Sequence, residues 1–266
     1  MNLVWLNGTL RPAASAGIAF NDRGFLLGDG LFETLCWRDG AVVRLDAHLA
    51  RLRDGAAVLG LPLPPMAELA AALADTAAAN DLADGALRLT VSAGLGPRGL
   101  PRPNPPTPTI LVTAAPAGAV LPPARVVVAT VTRRNEHSPL SRVKSLNYLD
   151  QILARRQAAA EGADDAVLLN TAGRVAGATA ATLFAVLDGA LVTPPLADGV
   201  LPGTRRAAVM DQLGGVERSL LPADLVRATE LFLTSSLMVR PVVAMDGRPV
   251  GDGRPGALML EARRRT

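Results

Sequence analysis

The stretch Val143-Lys144-Ser145-Leu146-Asn147-Tyr148-Leu149-Asp150 decides how this chain is read, because it holds the only lysine and the only tyrosine. Of the 27 basic residues other than histidine, one is lysine and the rest are arginine. Exchanging Lys for Arg is tolerated at most surface sites. It fails where a primary amine is needed, because a guanidinium does not deprotonate in proteins and forms no Schiff base. Lys144 is therefore either a chance survivor of a drift towards arginine or a required amine nucleophile.

The bulk composition narrows the field around it. A chain of 266 residues can bury a sizeable core as one large domain or two small ones. With 49% hydrophobic and 19% charged residues it is globular rather than disordered. Only 3% is aromatic, so the core must be built from Ala, Leu and Val. Net charge is +3 and the basic residues are dispersed, except for Arg263-Arg264-Arg265, which reads as a solvated end. No basic and aromatic cluster points to nucleic acid. Cys36 is the only cysteine, and His48 and His137 are far apart, so neither a disulfide nor a zinc site is expected. No apolar run reaches the length of a membrane span, and the N-terminus lacks a signal-peptide pattern, so a cytoplasmic protein is expected.

Hairpin signals and helical periods alternate along the chain. Residues 3–7 read as a strand before the turn Asn7-Gly8, and Ile18 to Gly30 as a glycine-punctuated loop entering the strand Leu31 to Arg38. Asp46 looks like the cap of a helix that carries His48 and Arg51 and stops at Gly60. A second helix is predicted from Met66 to Asn80, then a strand from Gly85 to Ala93. Gly94 to Gly99 is a loop with unusual backbone angles, and Ile110 to Ala114 a strand. Prolines and glycines over 116–123 read as a linker between domains 1–115 and 124–266, with the lysine in the second. That second part is predicted to hold a strand at Arg125 to Val131, helices at Asn147 to Glu161 and 204–213, a hairpin across Asp188-Gly189, and a strand from Glu230 to Thr234. The mixture gives an α+β fold in two domains with a cleft between them.

Five segments occur in order: Phe20-Asn21-Asp22-Arg23-Gly24-Phe25, Gly28-Asp29-Gly30-Leu31-Phe32-Glu33-Thr34, His48-Leu49-Ala50-Arg51-Leu52, Lys144-Ser145-Leu146-Asn147-Tyr148 and Leu201-Pro202-Gly203-Thr204-Arg205. Together they resemble the class IV aminotransferases, the fold-type IV pyridoxal-phosphate enzymes. Within that family, the modest length, Phe32 and the Gly94–Gly99 loop look most like aminodeoxychorismate lyase. The resemblance implies a homodimer that acts on a small amino substrate at a site in the interdomain cleft. It makes Lys144 the Schiff-base lysine that also moves the proton at the reacting carbon. It makes Arg51 the phosphate arginine, with Gly203, Thr204 and Arg205 at a helix start and Ser235 and Ser236 after a strand as further phosphate contacts. Phe32 would line the substrate site. Arg98 is either a carboxylate-binding arginine or a solvent-facing one, and Tyr148 either packs on the site or is an ordinary helix residue. His48 reads as structural.

One departure from the family pattern concerns the cofactor ring. The pattern places a glutamate two residues after the valine of Gly173-Arg174-Val175-Ala176-Gly177, to pair with the ring nitrogen, and here that position is Gly177. No acid occurs from Gly173 through Phe184, and Thr179 is the candidate to hydrogen-bond the nitrogen instead. Without the acid the ring is a weaker electron sink, which disfavours transamination more than elimination. The expectation is therefore conversion of 4-amino-4-deoxychorismate to 4-aminobenzoate and pyruvate. The alternatives are transamination of D- or branched-chain amino acids, and pyridoxal-phosphate binding with little turnover.

Overall fold

Strict alternation in Leu87, Leu89 and Val91 turns one apolar face of β5 (Gly85–Ser92) inward. The computed structural model describes residues 2–266. Around β5 it builds a six-stranded antiparallel sheet from β1 (Leu3–Leu6), β2 (Thr9–Pro12), β3 (Gly30–Arg38), β4 (Ala41–Val42) and β6 (Thr109–Pro116), in the order β2-β1-β6-β5-β3-β4. Helices α2 (Leu45–Leu59) and α3 (Met66–Ala79) cover one face. Leu49, Leu52, Leu69 and Leu73 from the helices share one core with Leu31, Leu35, Leu87 and Leu89 from the strands. Gly60 ends α2 in the left-handed region, as its position predicts. The start of α2 differs: Arg44 is the cap and Asp46 lies inside the first turn, where its charge suits the helix dipole.

A short helix, α1 (Arg23–Leu27), stands where the sequence pattern gave a loop. The Asp22 carboxylate accepts from the Gly24 N–H at 2.8 Å and starts it. Five residues are too few to show a helical period.

The second unit is a mixed nine-stranded sheet. Its strands are β7 (Ala124–Val128), β8 (Asp165–Leu169), β9 (Val175–Ala178), β10 (Thr182–Leu187), β11 (Ala190–Thr193), β12 (Val216–Glu217), β13 (Glu230–Thr234), β14 (Val239–Met245) and β15 (Arg248–Pro249). They run β12-β11-β10-β13-β14-β7-β8-β9, with β15 on β14. Its helices are α4 (Leu149–Ala160), α5 (Thr204–Leu213), α6 (Pro222–Val226) and α7 (Ala257–Arg265). Val209 of α5 and Met259 of α7 pack on Phe184 and Phe232, whose rings stack at 5.1 Å. Ala154 and Ala158 of α4 pack on Val127, Ala166 and Leu168.

The unit boundaries correct one expectation. The first unit is Met1–Ala119 with Val143–Asn147, and the second is Val120–Arg142 with Tyr148–Thr266. The lysine segment belongs to the first unit, not to the second domain that its place in the sequence implied. Its backbone pairs with β3: the Phe32 N–H donates to the Lys144 carbonyl at 2.9 Å, and the Leu146 N–H donates to Gly30 at 2.9 Å. A pairing between positions more than a hundred residues apart leaves no local sequence signal. Among the described residues, no helix is long and apolar enough to cross a membrane, and no cluster of three metal-ligating side chains occurs.

Leu35 lies fully buried under α2 on β3. Leu35→Ala should destabilise the protein by about 2–5 kcal/mol through lost burial and a residual cavity. Urea unfolding followed by circular dichroism measures this.

Candidate active site

Phe32 and Glu33 are neighbours on β3 and so point to opposite faces of the sheet. On the side away from the helices, the Lys144 Nζ lies 4.2 Å from the centre of the Phe32 ring, and the Arg88 guanidinium lies 3.8 Å from it. Register explains Arg88: Phe32 pairs with Thr90 on β5 and Thr34 with Arg88, so Phe32 and Arg88 share a face. An amine and a guanidinium thus flank one aromatic ring, whose faces attract both. The sequence reading named Lys144 and Phe32 here and missed Arg88. The signal was present, because Arg88 is the single charge in the alternating run from Leu87 to Val91.

On the helix-covered face, Glu33 is 1% exposed and receives three hydrogen bonds. Arg51 donates through Nε at 2.8 Å and Nη2 at 2.5 Å, and the His48 Nδ1 lies 2.7 Å away. Burial alone would raise the Glu33 carboxyl, but the bonds and charges of Arg51 and His48 outweigh it and hold the group below the usual carboxylate range. Burial dominates at His48 and lowers its pKa in spite of Glu33. The arginine that the resemblance assigns to the phosphate is therefore clamped by a buried acid that the sequence reading had quoted but given no role.

Arg98 lies on the exposed loop after β5 and has no ion-pair or hydrogen-bond partner among the described residues. The loop itself is fastened. Buried Arg23 donates to the carbonyls of Gly99, Leu100 and Pro101 at 3.2, 2.7 and 3.0 Å, and its Nε pairs with Asp29 at 2.8 Å.

The second unit carries the remaining candidates. Helix α5 starts at Gly203 without a side-chain cap, and helix starts have backbone donors that the helix itself does not use. A Cβ at Gly203 would stand 2.9 Å from the Thr182 Oγ1 and 3.1 Å from the Arg206 Cβ, so this approach requires glycine. Thr204 and Arg205 form the first turn, and Arg205 reaches the Ser236 carbonyl at 3.0 Å. The Ser235 hydroxyl accepts from the Leu237 N–H at 3.3 Å. Thr234 pairs with Thr182 across the strands, and its buried hydroxyl has no partner among the described residues. Hydroxyl donors, an uncapped helix start and a primary amine elsewhere in the chain are the donor set that a phosphate-bearing aldehyde requires. These residues fit pyridoxal phosphate.

The position at which the resemblance expects an acid holds Gly177. Gly177 has φ of +104°, a conformation that L side chains rarely adopt, and a Cβ there would lie 3.1 Å from the Ala181 carbonyl. The backbone here therefore favours glycine. Thr179 does not offer its hydroxyl hydrogen to a ring: it donates to Asp165 at 2.5 Å, and the Arg155 Nη1 approaches its oxygen at 3.4 Å. Tyr148 is half-buried and supplies the residue before α4. Arg240 pairs with Asp164 at 3.0 Å and donates to the Pro122 carbonyl at 2.7 Å.

Residues 30–245 match the model of the amino-transferase class IV family. The chain belongs to the class IV aminotransferases. Pyridoxal phosphate is the cofactor of this family, and the chain has the fold-type IV architecture. It is 35% identical over 264 residues to a Methanocaldococcus jannaschii protein named "Putative branched-chain-amino-acid aminotransferase", covering 96% of this chain and 92% of that one. The branched-chain aminotransferase of Thermoproteus uzoniensis, solved with norvaline, superposes with a TM-score of 0.91 at 27% identity, covering 99% and 92% of the two chains. A Legionella pneumophila structure named "Putative 4-amino-4-deoxychorismate lyase" superposes with a TM-score of 0.87 at 29% identity, covering 94% and 93%.

Two measurements check this geometry. Below about pH 6.5 the unfolded chain protonates His48 while the folded class IV protein does not, and below about 4.5 the same holds for Glu33. Both pKa values are lowered on folding, so both groups make stability fall as pH falls. Unfolding free energy should decline from pH 7 to 5, and His48→Gln should flatten that slope. Gly177→Glu should destabilise the protein by about 1–3 kcal/mol through backbone strain, seen as a lower urea midpoint.

Proposed function

We propose that this class IV protein is a lyase that converts 4-amino-4-deoxychorismate to 4-aminobenzoate and pyruvate. The observation that carries the proposal is Gly177, whose backbone disfavours the acid that would keep the cofactor ring a strong electron sink. Elimination places less demand on that sink than transamination. The electron pair left by the departing proton expels the enolpyruvyl oxygen, and the ring becomes aromatic. The likeness to the Legionella pneumophila structure supports the same reading.

Pyridoxal phosphate, when bound, withdraws electrons from the carbon that bears the substrate amino group. Lys144 takes the proton from that carbon through its Nζ, beside the Phe32 ring. The C–O bond to the enolpyruvyl group breaks, and that group leaves and takes up a proton to become pyruvate. Arg88, on the same ring, holds a substrate carboxylate by charge-assisted hydrogen bonds. The start of α5, with Ser235, offers donors suited to a phosphate.

The names of the Methanocaldococcus jannaschii and Thermoproteus uzoniensis proteins favour a second reading, transfer of an amino group from an amino acid. The proposal includes a homodimer, supported by the exposed apolar side chains of Phe20, Phe25, Leu26 and Leu100 on the first unit.

Purified protein loaded with pyridoxal phosphate should release pyruvate from 4-amino-4-deoxychorismate, and Lys144→Ala should abolish the release. Arg88→Met should weaken kcat/KM by about 10–100-fold, mostly through KM, as expected for a lost charged hydrogen bond. Amino transfer to a 2-oxo acid without pyruvate release would select the second reading. Neither activity in a loaded protein would leave a binder of the cofactor with little turnover.

A further inference from the structure

One buried hydroxyl makes no hydrogen bond among the described residues. It belongs to Thr234, the last residue of β13, which is 2% exposed. Phe232, two residues earlier on the strand, packs on Val209 of α5, so alternation turns Thr234 to the α5 side of the sheet. Its cross-strand neighbour is Thr182 of β10, which is 7% exposed and, two residues before Phe184, faces the same way. The start of α5 comes down on this pair: a Cβ at Gly203 would stand 2.9 Å from the Thr182 Oγ1.

Such a hydroxyl is costly, because it has given up water without gaining a protein partner. Ser235 and Ser236 follow it but are only half-buried, so water can satisfy them. The first N–H groups of α5 are not used within the helix, its cap Gly203 has no side chain, and no acid stands in its first turn. A tetrahedral oxyanion meets both needs, because its oxygens accept from backbone N–H groups and from a hydroxyl at once. We propose that the Thr234 hydroxyl donates to a phosphate-type oxyanion seated at the start of α5. The inference rests on the cofactor reading given above in naming that anion as the phosphate of pyridoxal phosphate. Inorganic phosphate has the same chemistry and is the other source. Thr234 is then a binding residue that neither the sequence pattern nor the resemblance singled out.

The role has a signature that a structural bond lacks. A hydroxyl that holds the fold together costs stability when it is removed. Thr234 has no protein bond to lose, so Thr234→Val, which keeps the shape, should leave the unfolding midpoint of the unloaded protein unchanged or higher. The loss should appear only when a phosphate-bearing ligand binds.

The test is a titration of the protein with pyridoxal phosphate, read at the visible absorbance band that depends on Lys144. Thr234→Val should raise the half-saturating concentration about 10–100-fold, as expected for a lost hydrogen bond to a charged group, and Thr234→Ser should bind as the wild type does. Pyridoxal, which lacks the phosphate, should bind the wild type and Thr234→Val alike. Calorimetry with inorganic phosphate alone should show binding to the wild type and to Thr234→Ser that Thr234→Val loses. Unchanged half-saturation in Thr234→Val would overturn the proposal whatever its unfolding midpoint, and so would an equal loss for pyridoxal. Should Thr234→Val fail to fold, Thr234→Ala carries the same comparison. If no band that depends on Lys144 forms but phosphate binding still needs Thr234, the cofactor reading falls and the oxyanion site stands. If inorganic phosphate does not bind either, both fall.

Discussion

The pairing of residues 144–146 with β3 is the constraint from which the chemistry of the first unit follows. A lysine carries a long, flexible side chain, and ordering it costs up to about 2 kcal/mol in rotamer freedom. Here the backbone on both sides of the amine is fixed first, by the bonds from Phe32 to Lys144 and from Leu146 to Gly30. The stem is thereby anchored beside the Phe32 ring before any side-chain contact is counted. β3 then serves two functions on its two faces. Phe32 faces Lys144 and Arg88, while Glu33 faces the helices and clamps Arg51. A one-residue slip of β3 would exchange these faces and destroy both arrangements, so the apolar register of Leu31 and Leu35 under α2 also guards the site.

Charge is handled differently in the two units. In the first, two buried or half-buried acids hold arginines: Glu33 for Arg51 and Asp29 for Arg23. Breaking such a pair from one side leaves an uncompensated charge, which is worth about 3–5 kcal/mol in buried cases. These pairs therefore fix orientation more than they add net stability. In the second unit the start of α5 uses backbone and hydroxyl donors, with no acid of its own in the first turn. That composition suits an anionic group.

Much of this was legible in the sequence, for identifiable reasons. The lone lysine stood out because only an amine can do what a guanidinium cannot. Helix α2 was readable from its glycine stop, α3 from its period and α5 from its Pro-Gly-Thr opening, and the β10–β11 hairpin from its Asp-Gly turn. What stayed hidden was non-local. The membership of the Lys144 segment in the first unit depends on a pairing with β3, and the role of Arg88 depends on which residue of β3 it stands beside. The acid beside Thr179 lies fourteen residues earlier in the chain, on a neighbouring strand, so a search from Gly173 to Phe184 could not find it.

The same reasoning changes what Gly177 means. Read as a sequence, it is a deletion of function: a carboxylate replaced by nothing. Read as backbone, it is a commitment, because φ of +104° closes the position to an acidic side chain and the turn from Ala178 to Ala181 is hydrogen-bonded in that shape at 2.9 Å. Here, putting the acid back would strain the chain, while a buried threonine and aspartate stand bonded beside the altered residue. The local structure has settled around doing without the acid.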